Sequence, residues 1–182
     1  MIWIAFFRGI NVGGNNILPM KELTTLLKKS GCVDITTYIQ SGNAVFRSSE
    51  SNPAKLSKCL ENVVSDKYGS KPRIFLIKSP SLEKAVESNP FPKAELKPET
   101  LHLSFLFDKP RSANLESLKK VKSASEEFFL HGNVFYLHAP NGIGRSKLAG
   151  KLEKLLGVEA TGRNWNTVSK MIELAQGLRD RN

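Results

Sequence analysis

Cysteine is almost missing from this chain: two residues in 182, Cys32 and Cys59. So few thiols exclude a disulfide-built scaffold. With no Cys-x-x-Cys and no histidine at ligand spacing, zinc and dithiol redox motifs are excluded too. Both cysteines are expected to be core thiols, Cys59 because it falls on an apolar helical stripe. Long hydrophobic runs are also missing, since none approaches the ~18 residues a membrane helix needs. The opening Met1–Phe7 run meets Arg8 and reads as a buried strand, not a signal peptide. A reducing cytoplasm and no membrane partner are therefore expected. Acidic side chains are the minority charge, 17 against 27 Lys+Arg, which leaves a net charge of +10. That excess divides evenly, +5 in residues 1–90 and +5 in 91–182, so there is no basic tail and any electrostatic footprint belongs to a folded surface. At 40% hydrophobic and 24% charged, the remainder is ordinary globular composition.

Periodicity carries the fold. The strand at 2–7 leads into a glycine-rich loop, Gly9–Asn16, with Arg8 at its root. Pro19 suits a first helical turn, and Met20, Leu23, Leu26 and Leu27 form an apolar stripe that Gly31 would end in a left-handed cap. Thr36–Ile39 and Ala44–Phe46 flank Ser41-Gly42-Asn43, a hairpin turn. Asn52-Pro53 reads as N-cap and first helical residue, with Gly69 as the stop. Arg73–Ile77 is the next strand. The order β-α-β-β-α-β then returns: strand 102–107, helix 115–121, hairpin 128–131 with 134–138, helix 147–156 and a short edge strand at 158–161. Gly42-Asn43 and Gly132-Asn133 take corresponding hairpin turns, and each half closes with an extra helix, near Pro80–Glu87 and Thr167–Gly177. This predicts an α+β protein of two tandem ferredoxin-like (βαββαβ) α/β-plait domains with extra helices. The expected bounds are 1–79 for the first domain, 80–97 for a helix and Pro-rich linker, 98–163 for the second domain and 164–182 for a C-terminal helix.

Three separated motifs run in order along the chain: Arg8-Gly9-Ile10-Asn11-Val12-Gly13-Gly14, Thr37-Tyr38-Ile39-Gln40-Ser41-Gly42-Asn43 and Thr161-Gly162-Arg163-Asn164-Trp165-Asn166-Thr167. A fourth element is Gly142-Ile143-Gly144-Arg145-Ser146-Lys147. Together they resemble the bacterial DUF family 1697, a domain of unknown function, from the first strand to the last helix. Phe6-Phe7, where aliphatic residues are more usual, is a minor departure. The resemblance implies tandem α/β-plait domains and supplies no catalytic residue.

The chemistry is narrower. The first loop fails both the G-x-G-x-x-G and the Walker A patterns, so no cofactor fingerprint is present. Plait topology makes the first two strands parallel, which brings the Arg8–Asn16 loop beside the Gln40–Asn43 turn. Arg8 offers a five-donor fork, while Asn11, Gln40, Ser41 and Asn43 offer amides and a hydroxyl. In the second half, Gly142, Gly144, Arg145, Ser146 and Lys147 open a helix, and Arg163, Asn164 and Trp165 follow the last strand toward the same edge. Backbone N–H groups and cations there suit an anion, and residues 140–170 hold six basic against two acidic side chains. Trp165 suits either base stacking or core anchoring. Neither cluster carries a carboxylate, cysteine or histidine, which disfavours acid–base or metal chemistry; no metal set and no catalytic residue emerge.

The expectation is a cytoplasmic binding protein for an anionic ligand (a nucleotide, a phosphorylated metabolite or RNA) in a cleft lined by these Arg/Asn/Gly-rich loops. The competing classes are a transferase or hydrolase acting on a phosphorylated substrate, and a structural homo-oligomer.

Overall fold

The structure is a computed structural model that describes residues 1–14, 16–69, 71–110 and 113–181. It divides into two compact units, Met1–Lys84 with Lys170–Asn182, and Ala85–Ser169.

In the first unit, strand β1 (Ile2–Arg8) is followed by helix α1 (Met20–Lys29), strands β2 (Val33–Tyr38) and β3 (Asn43–Arg47), helix α2 (Pro53–Tyr68) and strand β4 (Arg73–Lys78). Helix α3 (Ser79–Glu87) begins directly after β4. The sheet order is β2-β3-β1-β4, and every neighbouring pair is antiparallel. β1 is central, and its unbroken apolar run is explained by burial of every residue from Trp3 to Phe7. Trp3, Ala5 and Phe7 pack on Leu23, Leu26 and Leu27 of α1 and on Leu56, Leu60 and Val64 of α2. Each buried Leu, Val or Phe among them contributes about 1.5–3 kcal/mol.

The helix punctuation is local. Pro19 takes the N-cap position of α1, one residue before the first helical turn. Ser30 is the C-cap, and Gly31 follows at φ +80°. Asn52 caps α2 by accepting from the N–H groups of Ala54 and Lys55, and Gly69 closes it in the left-handed region. Cys59 corrects an expectation: it is exposed, because the buried stripe of α2 runs Leu56, Leu60, Val64 at four-residue spacing and position 59 falls outside it. Cys32 is buried, and burial pushes its thiol up to about 11.

The second unit opens with short 3-10 helices at Pro92–Leu96 and Pro98–Thr100, so its proline-dense stretch folds into turns. Strand β5 (Leu101–Leu106), helix α4 (Leu115–Val121), strands β6 (Glu127–His131) and β7 (Val134–His138), helix α5 (Lys147–Leu156) and strand β8 (Ala160–Asn164) complete it. Its sheet is also antiparallel, in the order β6-β7-β5-β8. Leu118 of α4 and Leu148, Leu152 and Leu156 of α5 pack on Leu106, Phe135, Leu137 and Ala160. Helix α6 (Trp165–Arg179) starts in the second unit and ends in the first.

Two findings differ from the sequence reading. The two hairpins are unlike: four residues separate Tyr38 from its partner Asn43, whereas Gly132 and Asn133 alone join His131 to Val134. Strand β8 begins at Ala160 rather than Val158. Val158 packs against the α4–α5 core, and the Ala160 N–H donates to Glu153 Oε1 at 2.8 Å. Among the described residues, no helix is long and apolar enough to cross a membrane.

Candidate functional site

The loop after β1 and the turn before β3 lie together, as the parallel direction of the first two strands requires. Phe7 N–H donates to the Gly42 carbonyl at 2.8 Å. Asn11 ties the segments further: its Nδ2 donates to the carbonyls of Leu18 (2.9 Å) and Gln40 (2.7 Å), and its Oδ1 accepts from Leu18 N–H (2.7 Å). Asn16 Nδ2 donates to the Gly9 carbonyl at 2.8 Å. Asn43 is fully buried, and its Nδ2 donates to the Tyr38 carbonyl and to Ser41 Oγ, both at 3.0 Å. The amides of Asn11 and Asn43 therefore act as staples between backbone segments rather than as surface contacts. Gln40 and Ser41 remain exposed, and Arg8 is half-buried opposite Arg73 in the ladder. Asn15 lies outside the described residues.

This packing imposes strain on Ile39, a β-branched residue at φ +47°. Such a conformation costs on the order of 1–3 kcal/mol. The flanking bonds to the Tyr38 and Gln40 carbonyls hold it there.

In the second unit, β7 and β8 are each antiparallel to β5, so the Gly142–Lys147 loop and the end of β8 share one edge. Gly142 sits at φ +86°, ψ +141°, backbone space that only glycine occupies readily. The turn's own N–H groups point inward: Gly142 donates to Ala139, Arg145 to Gly142 and Ser146 to Ile143. Ser146 is the N-cap of α5, and its Oγ accepts from Ala149 N–H at 3.0 Å. Gly144 needs no left-handed backbone, and a Cβ there would meet nothing within 4 Å. Arg145 and Lys147 are exposed on either side of the cap, and neither makes an ion pair among the described residues.

The Thr161–Asn164 motif is the body of strand β8, not a loop leaving it, and that changes its geometry. Alternation along the strand puts Gly162 and Asn164 on one face, opposite Ser104 and His102, while Arg163 projects from the other. Arg163 Nη1 folds back to Thr161 Oγ1 (2.9 Å) and the Gly162 carbonyl (2.7 Å). Burial lowers its pKa to about 10, so it stays charged at neutral pH. Asn164 Oδ1 accepts from Thr167 N–H at 2.9 Å in the first turn of α6. Trp165 is buried and so withdrawn from any base-stacking surface.

Two features escaped the sequence reading. The first unit contains a cavity of about 260 Å³ lined by Met1, Ile2, Lys78, Ser79, Pro80 and Arg179. It lies at the opposite end of β1 from Arg8. Buried His102 carries an Nε2 with no hydrogen-bond partner among the described residues. Burial lowers its pKa, and a hydrogen bond with the Glu99 backbone works weakly the other way.

Comparisons with known proteins identify the lineage rather than the chemistry. No curated protein matches the chain. The structure of a conserved bacterial protein from Streptococcus pneumoniae is similar, with a TM-score of 0.70 at 24% identity over 96% of this chain and 98% of that one. At that identity the likeness is one of fold. A family model described as "Protein of unknown function (DUF1697)" matches residues 1–136, and on that match the chain belongs to the DUF1697 family.

Proposed function

We propose that each unit is a ferredoxin-like plait and that the second binds an anionic ligand (a nucleotide, a phosphorylated metabolite or RNA) at its Gly142–Lys147 loop. The sheet orders β2-β3-β1-β4 and β6-β7-β5-β8, each with its two crossover helices packed on the sheet, support the plait reading. One observation carries the binding reading: Arg145 and Lys147 stand exposed beside the capped N-terminus of α5 with no carboxylate among the described residues to neutralise them. Helix polarity favours negative charge at that place. The arrangement offers donors and positive charge without a base, which suits binding better than turnover.

The test is titration of the protein and an Arg145→Ala/Lys147→Ala variant with inorganic phosphate, ATP and a short oligouridylate at two salt concentrations. Two phosphate contacts on a single strand give a salt slope of about −1.4, so a fourfold rise in salt weakens oligouridylate about sevenfold. Loss of that slope in a folded double variant supports the site. Unchanged binding in the variant, or no binding to any of the three probes, removes it.

A further inference from the structure

The cavity of the first unit lies where three distant segments meet: the start of β1, the junction of β4 with α3, and the last turn of α6. Its position is fixed by a small polar network. Arg47 Nη2 donates to the Leu178 carbonyl at 2.7 Å, which seats the end of α6. Arg179 Nη2 then reaches Glu83 Oε1 at 2.7 Å and Ser79 Oγ at 3.1 Å. Ser79 is buried and also bonds Glu83 Oε1 at 3.2 Å, so its hydroxyl is already engaged.

The charges around this cavity are unequal. Arg179 is paired with Glu83. Among the described residues Lys78 has no carboxylate partner; its Nζ lies 5.5 Å from the centroid of the Trp3 ring. Met1, Ile2 and Pro80 supply an apolar wall. Pro80 also removes one of the N–H groups that a phosphate would use at the start of α3. The Met1 ammonium also borders the hollow but is engaged by the Ser48 carbonyl at 2.9 Å, which leaves the Lys78 ammonium beside an apolar wall, an arrangement that suits a monoanion with a hydrocarbon body better than a phosphate dianion. About 260 Å³ is the space of roughly nine waters, enough for a short aliphatic chain.

We propose that this cavity is a binding site for a medium-chain carboxylate, with the carboxylate on Lys78 and the chain against Met1, Ile2 and Pro80. The site is separate from the Gly142–Lys147 loop and does not depend on it. An apolar pocket with a few convergent polar groups is the usual form of a small-molecule site.

The experiment follows the Met1 ε-methyl and Ile2 δ1-methyl NMR signals of the full chain during titration with octanoate, 1-octanol and inorganic phosphate. Octanoate should give saturable shifts at both methyls. Octanol, which lacks the charge, should bind about tenfold more weakly. Lys78→Met should weaken octanoate about tenfold without unfolding the chain. Ile2→Phe, which fills the hollow, should abolish the Met1 shift. Arg145→Ala/Lys147→Ala should leave octanoate binding intact, so the two sites succeed or fail separately. Equal affinity for octanol and octanoate, equal affinity in Lys78→Met, the same shifts from phosphate, or no saturable shift would each overturn the proposal.

Discussion

Gly42→Ala isolates the contact that joins the first loop to the β2–β3 turn. Gly42 has φ +74°, and a Cβ built there would lie 2.6 Å from Ile10 Cδ1 and 2.8 Å from Phe7 Cβ. The backbone part of the cost is about 1–2 kcal/mol, the usual penalty for an L-residue in the left-handed region. The steric part adds about 1–3 kcal/mol. Ile10 could rotate its terminal methyl, but Phe7 Cβ belongs to the central strand, whose N–H is bonded to Gly42 itself. Relief therefore requires the turn to move, and the total should be about 2–5 kcal/mol. Gly31→Ala provides the control: φ is +80°, and nothing lies within 4 Å of its Cβ. Urea unfolding followed by circular dichroism measures both variants. A Gly42→Ala loss no larger than that of Gly31→Ala would refute the steric part. A large loss restored by Ile10→Ala in the double variant would shift the overlap from Phe7 to Ile10.

Two further outcomes follow from titration behaviour. His102 is held neutral by burial, with its folded pKa below the ordinary 6.5. The unfolded ring therefore takes up more protons than the native one below about pH 6.5, and stability should fall as pH drops through that value. His102→Gln should flatten the melting temperature profile between pH 7 and 5, and parallel profiles would count against this assignment. Ellman's reagent should modify exposed Cys59 in the native protein, while Cys32, buried and raised to about 11, reacts only on unfolding. Two fast-reacting thiols would contradict that placement.

The elements legible in the sequence are those fixed by neighbours in the chain. Asn52-Pro53 and Gly69 bracket α2 because a cap is a bond between residues two or three apart. Lys147–Leu156 and Leu115–Val121 fall where the apolar spacing put them. The failures share a cause of the opposite kind. Periodicity assigned Cys59 to a buried stripe, yet which flank of α2 the sheet covers depends on packing against β4 and α1, which no local spacing encodes. Val158 looked like a strand residue because it is β-branched and apolar, but its burial comes from the α4–α5 core beneath a loop. The cavity drew on residues 1–2, 78–80 and 179, three segments without a common local pattern.

The motif residues carry a second lesson. Gly42, Asn11, Asn43, Ser146 and Asn164 were drawn from the same turns and strand ends that suggested a ligand, and in each the backbone already uses the feature that singled them out. Gly42 allows the loop's approach, Asn11 and Asn43 close it, and Ser146 and Asn164 satisfy helix N–H groups. A polar side chain that has satisfied a neighbouring backbone group gains little by turning to a ligand, because leaving that group unmet costs about 1–3 kcal/mol. Any ligand contact proposed for this chain therefore falls to side chains outside that internal hydrogen bonding. Among the described residues, Arg145 and Lys147 in one unit and Lys78 in the other meet that condition.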